Sequence, residues 1–226
     1  MFRILLIFIF FSSPSLSLSQ SLKKAYKQFE NSEMETLREI LLKFDEKNIE
    51  NSGKYFLYSL YYLQDAGDRD KLDSAYFFIK ESKEKFPNSS PKEAEELDEI
   101  GITLPKIDSV ISVIDSVEFA FVSSINTISE YKKYMRDHPH SKFFDISKKK
   151  WHSLEFAIAS KVNTWEGYKD FMDTFRDSDE YSIAKSLYDE LLFRDETSER
   201  SLKSFENFLA KNPDTPFRDS LEYLIF

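Results

Sequence analysis

The chain has 226 residues, 41% of them hydrophobic and 31% charged, with 31 basic against 40 acidic side chains and a formal net charge of −9. That balance repels nucleic acid, whose phosphates are held by lysine and arginine, and 22 phenylalanines with 12 tyrosines supply too much apolar surface for a disordered chain. The absence of cysteine excludes disulfides, thiolate metal sites, a catalytic thiol and a lipid carried on cysteine, while four glycines nearly exclude a phosphate-cradling loop and point to long helices.

The first 19 residues place one cation, Arg3, before an apolar run from Ile4 to Phe11 and a tail of small residues ending Ser17-Leu18-Ser19. This is the layout of a secretory signal peptide, with cleavage expected after Ser19 and a mature chain from Gln20. An uncleaved anchor or a membrane-surface helix is the alternative, although the run is far shorter than the roughly 20 apolar residues that span a bilayer. Removing Arg3 leaves 30 basic side chains against 40 acidic, a net charge of −10. Export without cysteine fits a bacterial periplasm, the outer membrane's surroundings or the cell exterior.

Residues 20–100 read as an N-terminal helical region with degenerate repeats. Apolar spacing and caps predict helices over 21–30, 33–46, 53–64, 70–86 and 91–99. Ser32 is expected to cap the second, and Ser90-Pro91-Lys92-Glu93 supplies a cap, a proline at the first helical position and a capping carboxylate. Asp65 to Asp70 alternate carboxylates as a calcium loop does, but lack the glycine and the bidentate glutamate, so the stretch reads as an inter-helix turn. Twelve tyrosines exceed what a core needs, since each buried hydroxyl wants a partner. Tyr55, Tyr58, Tyr61, Tyr62 and Tyr76 are therefore candidates to line an exposed groove. Residues 101–107, with Gly101 and Pro105, predict a bend in which Ile102 and Leu104 are buried.

From 108 to 226 the chain repeats itself. Residues 126–144, NTISEYKKYMRDHPHSKFF, share Asn, Thr, Tyr, Lys, Met and Ser with residues 163–181, NTWEGYKDFMDTFRDSDEY, at a constant offset of 37. The match runs on, pairing Ile146 with Ile183, Lys148 with Lys185, Trp151 with Tyr188, Leu154 with Leu191 and Phe156 with Phe193. A third copy puts Phe205, Phe208, Leu209 and Thr215 opposite Tyr168, Phe171, Met172 and Ser178, with a slip of register expected near Phe217. Tyr131, Tyr134 and Met135 fall at i, i+3, i+4, one stripe of a helix, and Thr127 with Glu130 forms a capping box. Helices are predicted over 107–122, 128–137, 142–159, 165–175, 179–194, 199–211 and 216–226. No stretch alternates polarity for long enough to make a sheet.

Little in this half carries chemistry. His138 and His140 could offer imidazoles to a metal, but further donors are lacking and an exposed turn is expected. Asp173, Asp177, Asp179 and Glu180 crowd one turn, where paired carboxylates could do acid–base work; other copies carry Arg136, Lys142, Asn212 and Arg218 there, so the turn reads as a solvated acidic one. No nucleophile motif stands in a strand-to-helix setting. The end of the chain, Leu221 to Phe226, lacks a charged cap, and Tyr223, Leu224 and Phe226 are expected to dock on a partner, a second copy or a further repeat.

Helix pairs whose first helix is aromatic-rich and whose turn reads NPDTPF or FPNSSP resemble tetratricopeptide-type repeats, here over about residues 50–226. The flavour is similar to repeats of exported bacterial envelope scaffolds and outer-membrane assembly proteins. The resemblance implies an all-α solenoid of stacked helix–turn–helix units of about 37 residues, a peptide or protein partner, and no catalytic residue or cofactor. The expectation is thus a non-enzymatic interaction scaffold of the cell envelope. Two other readings stay open: a glycan or peptidoglycan module using exposed tyrosines, and an enzyme with its site in residues 20–100.

Overall fold

A computed structural model describes residues 18–225. The expected signal peptide lies outside the described residues except for its last two positions, and Phe226 lies outside them too. Twelve α-helices follow one another: α1 Leu18–Glu30, α2 Met34–Glu46, α3 Ser52–Leu63, α4 Arg69–Lys85, α5 Pro91–Glu99, α6 Leu104–Ile125, α7 Ile128–Asp137, α8 Phe144–Val162, α9 Trp165–Thr174, α10 Tyr181–Glu196, α11 Leu202–Lys211 and α12 Arg218–Ile225. A 3-10 turn, Phe86–Asn88, follows α4, and no strand occurs among the described residues. Each predicted helix has its counterpart, with no end displaced by more than three residues. The chain divides into two compact units, up to Glu118 and from Phe119 onward.

In the first unit, Leu22, Ala25, Leu37, Leu41, Phe44 and Leu57 form a core shared by α1, α2 and α3. Burying each of these larger side chains contributes roughly 1.5–3 kcal/mol. Helices α3 and α4 approach closely because small polar residues meet between them. Ser52 and Ser82, both fully buried, exchange hydrogen bonds: each hydroxyl donates to the other's carbonyl oxygen, at 2.9 and 3.0 Å. A Cβ at Gly53 would lie 3.0 Å from Leu97 and 3.1 Å from Leu22, so α1 and α5 converge on the one glycine of α3.

Two local expectations are corrected here. Ser32 does not cap α2: it adopts a left-handed conformation at φ 60, and Glu33 takes the cap position without a side-chain bond. At the bend, Gly101 takes φ +71 after α5 and Ile102 is buried, but Leu104 is 38% exposed. It stands at the first position of α6, where the opening turn faces solvent.

In the second unit the same backbone bonds appear three times. Asn126, Asn163 and Arg200 adopt left-handed conformations at φ 52, 53 and 51. Thr127, Thr164 and Ser201 then cap α7, α9 and α11, each side-chain oxygen accepting from the backbone N–H three residues on. The box is fully reciprocal at Ser201 with Ser204. After each of these helices the N–H of residue 141, 178 or 215 donates to the carbonyl of 138, 175 or 212, and the hydroxyl of Ser141, Ser178 or Thr215 accepts from the N–H two residues on. The N–H of Ser147, Ala184 and Leu221 closes the first turn of α8, α10 and α12. The expected slip near Phe217 does not occur, because the bonds of Thr215, Phe217 and Leu221 keep the step of 37.

Ser147, Ala184 and Leu221 are buried at matching places, and the Ser147 hydroxyl has no hydrogen-bond partner among the described residues. An unpaired buried hydroxyl carries a desolvation cost without return. Ser147→Ala, which writes the residue of the next copy, is expected to raise stability by about 1 kcal/mol in a urea titration.

His138 is not in an exposed turn. It is 4% exposed, its ring stacked on Tyr134 at 4.7 Å and 13°, and only His140 faces solvent. His138 holds the C-cap position of α7, its backbone N–H donating to the Tyr134 carbonyl, as that of Phe175 donates to the Phe171 carbonyl at the end of α9. His152 is also buried, against Trp151 and Phe175, and burial pushes its pKa below the ordinary 6.5.

Candidate binding groove

Helix α3 reads SGKYFLYSLYYL, an aromatic helix with one charge, Lys54. Its periodicity sends Phe56, Leu57 and Leu60 into the core and leaves Tyr55, Tyr58 and Tyr62, at i, i+3 and i+7, half-buried along another stripe. Phe78 of α4 packs against all three. Its ring stacks on Tyr58 at 4.8 Å, on Tyr62 at 5.5 Å and 4°, and on Tyr55 at 6.0 Å. Such offset stacks contribute about 0.5–1.5 kcal/mol beyond area burial.

The tyrosine hydroxyls are fixed by carboxylates. Tyr55 donates to Glu50, in the loop after α2, and Tyr58 donates to Asp45, at the end of α2. Between them lies Lys54, its side chain 4% exposed, with Nζ 3.0 Å from Asp45 and 2.9 Å from Glu50. Burial works against the Lys54 charge, but the hydrogen bonds to Glu50 and Asp45 outweigh it and raise the pKa above 10.5. Hydrogen bonds from Tyr55 and Lys54 hold Glu50 below 4.5. At Asp45 partial burial pushes upward, and the bonds from Tyr58 and Lys54 overcome it and hold the carboxyl below 3.8. Both phenols are pushed above 10.0, by burial first and by their carboxylate partners second.

These residues line a groove of about 490 Å³, together with Arg38, Leu42, Tyr61, Tyr62 and Phe77. Leu42 and Phe77 expose 46% and 57% of their surface on its flanks. The lining cations, Arg38 and Lys54, balance Asp45 and Glu50, so the groove is neutral. Lys71 and Lys85 sit over Tyr62 and Tyr55, at 5.4 and 5.3 Å from the ring centroids.

The structure therefore brings Tyr55, Tyr58, Tyr61 and Tyr62 together. Tyr76 is not among the groove's lining residues; it is half-buried on α4, with Lys80 Nζ 5.4 Å from its ring. Tyr223 and Leu224, on α12, are 86% and 57% exposed. Asp45, Glu50, Lys54 and Phe78 escaped sequence reasoning. One signal was there: Lys54 is the only charge in α3, and a lone cation in an apolar helix calls for anionic partners.

The other titratable clusters are tied up. Asp68 caps α4 by accepting from the Asp70 N–H at 3.0 Å. Lys148 bonds Asp177, Lys149 lies 2.9 Å from Asp179, Lys169 lies 2.7 Å from Asp173, and the Ser153 hydroxyl donates to Glu180. Hydrogen bonds from Lys148 and Lys169 hold Asp177 and Asp173 below 3.8, the reverse of what a general acid needs. Among the described residues no group of three or more His, Asp or Glu is placed to hold a metal ion. Neither a protein-family model, nor a curated protein, nor a solved structure matches this chain.

Proposed function

We propose that the chain is a non-enzymatic interaction scaffold of the bacterial cell envelope, exported by its first 19 residues, that binds a protein or peptide partner through the tyrosine-lined groove of α3 and α4. The observation that carries the reading is the groove's division of labour. Tyr55 and Tyr58 spend their hydroxyls on Glu50 and Asp45, while Leu42 and Phe77 present bare apolar surface beside them. Apolar side chains of a peptide fit such a surface. A sugar, whose hydroxyls need free donors and acceptors, fits it less well.

The stacked-repeat reading of residues 108–226 draws support from the caps, turns and left-handed residues that recur at a step of 37. In such an array each helix pair buries its apolar face on its neighbours, and the surface left over serves binding. No helix of the described residues is long and apolar enough to cross a membrane. The half-exposed rings of Tyr61 and Tyr62 favour a second reading, glycan or peptidoglycan binding, in which sugar rings stack on tyrosine faces.

The test is a paired comparison on envelope extracts. Tyr62→Ser with Phe77→Ser removes aromatic surface from the groove and leaves the Asp45–Lys54–Glu50 cluster in place; with the Tyr62 stack on Phe78 lost, a stability cost of about 1–3 kcal/mol is expected, and binding is compared at a temperature where both chains are folded. Wild type is expected to retain a protein partner that the double variant retains at least 10-fold less. Equal retention by both would sink the peptide reading. A tyrosine fluorescence change with peptidoglycan fragments, lost in the variant, would replace it with the glycan one. Export is checked separately, by an N-terminal residue of Gln20 on the chain recovered outside the cytoplasm.

A further inference from the structure

The middle and last copies in the second unit differ where α10, α11 and α12 meet; the first copy has the Phe119–Phe143 stack that answers to Phe193–Phe217 but keeps the Tyr131–Asn126 hydrogen bond. At a step of 37, Ser153 and Glu180 answer to Glu190 and Phe217, while Asn163 and Tyr168 answer to Arg200 and Phe205. In the middle copy these four residues make two polar pairs: Ser153 donates to Glu180, and the Tyr168 hydroxyl donates to Asn163 at 3.2 Å. In the last copy both pairs are gone. Phe217 instead stacks on Phe193 at 4.6 Å, and a cavity of about 640 Å³ opens, lined by Phe193, Phe205 and Phe217 with Glu190, Arg194 and Arg200 at its rim. That volume lies within the range of roughly 300–1,000 Å³ typical of ligand sites.

Arg200 holds φ 51, where the other copies carry asparagine, the residue that tolerates this conformation best. A side chain kept in a sparsely populated backbone state at such a place points to a role beyond folding. Arg194 and Arg200 are exposed and form no ion pair among the described residues; Glu190 is likewise unpaired, which leaves the lining at a net charge of +1. One carboxylate balances it.

We propose that this cavity binds the C-terminus of a partner polypeptide whose last side chain is large and apolar, the side chain among the three rings and the carboxylate on Arg194 and Arg200. Guanidinium groups suit a carboxylate through paired N–H donors. The rim also offers the Glu190 carboxylate and the Ser198 hydroxyl to backbone amides of the bound segment, groups for which a fatty-acid tail has no use.

The probe is a fluorescein-labelled pentapeptide, Ala-Ala-Ala-Leu-Phe with a free carboxylate, titrated against the full chain and followed by anisotropy. Saturable binding is expected, at least 10-fold weaker for the C-terminally amidated peptide. Arg200→Asn, which restores the residue of the other copies and relieves the backbone, is expected to weaken binding at least 10-fold with an unchanged or higher melting temperature. Arg194→Gln, at an exposed position, is expected to do the same. Tyr62→Ser with Phe77→Ser should leave this binding untouched, so the groove and the cavity succeed or fail separately. Equal affinity for the amidated peptide, no binding of the free one, wild-type affinity in both arginine variants, or tighter binding of decanoate than of the peptide would each overturn the proposal.

Discussion

Asp45→Asn combined with Glu50→Gln is expected to cost about 3 kcal/mol of stability, whereas Lys54→Met costs less than about 1. The asymmetry follows from which side of the cluster is buried. The Lys54 side chain is 4% exposed, but Asp45 and Glu50 expose 47% and 54% of theirs. Removing both carboxylates strands a buried ammonium, and an uncompensated buried charge costs about 3–5 kcal/mol; the lower end applies because the asparagine and glutamine amide oxygens still accept hydrogen bonds from Nζ. Removing Lys54 strands two carboxylates that water can solvate, and methionine refills the apolar stem. Urea titration of the two variants at pH 7 reads the difference, and equal losses would show that the carboxylates hold no more than a surface pair.

The same cluster sets a pH dependence with a definite sign. Asp45 and Glu50 are held below their ordinary 3.8 and 4.5, so the folded chain binds fewer protons than the unfolded chain in that range. Their contribution is complete above about pH 4.5 and is lost as pH falls through the depressed values. The double variant should therefore show a flatter stability profile below pH 4.5 than the parent. His152 acts higher up: burial lowers its pKa, so stability falls as pH drops below 6.5 toward that lowered value, in parent and variant alike.

How far the sequence discloses all this depends on the range of the interaction concerned. The helices were legible because each is written locally, by a stripe of apolar residues and a cap such as Thr127, Thr164 or Ser201. The tyrosine stripe of α3 was legible for the same reason. The burial of His138 could have been found, since its counterpart 37 residues on is Phe175, an aromatic in the same turn. Exposure was the wrong reading because polarity outweighed position. Asp45 and Glu50 were out of reach: the loop between α2 and α3 sets which carboxylate meets Lys54, and no periodicity encodes a loop's path. The cavity beside Arg200 could be seen only as a list of unlike residues at matching positions until their hydrogen bonds showed which pairs had been lost.

Phe208→Ala is expected to cost about 3–5 kcal/mol locally, and where that loss spreads tests the stacked-repeat reading. Tyr134, Phe171 and Phe208 occupy matching places in α7, α9 and α11, each 4% exposed or less. Phe208 packs with Leu192 and Leu221 and meets Phe193 edge-on at 5.4 Å. Truncating such a ring removes its transfer free energy and leaves a cavity that the surroundings refill only in part. Phe205→Ala, at a half-buried position, should cost less. In a stacked array each helix pair is held mainly by its neighbours, so the damage stays near the altered pair. Hydrogen exchange on Phe208→Ala should then show faster exchange in α11 and α12 and unchanged protection in α7 and α8. Uniform loss of protection from α7 to α12 would mean that residues 119–226 fold as one cooperative unit, and the solenoid reading would fall while the groove of α3 and α4 stood unaffected.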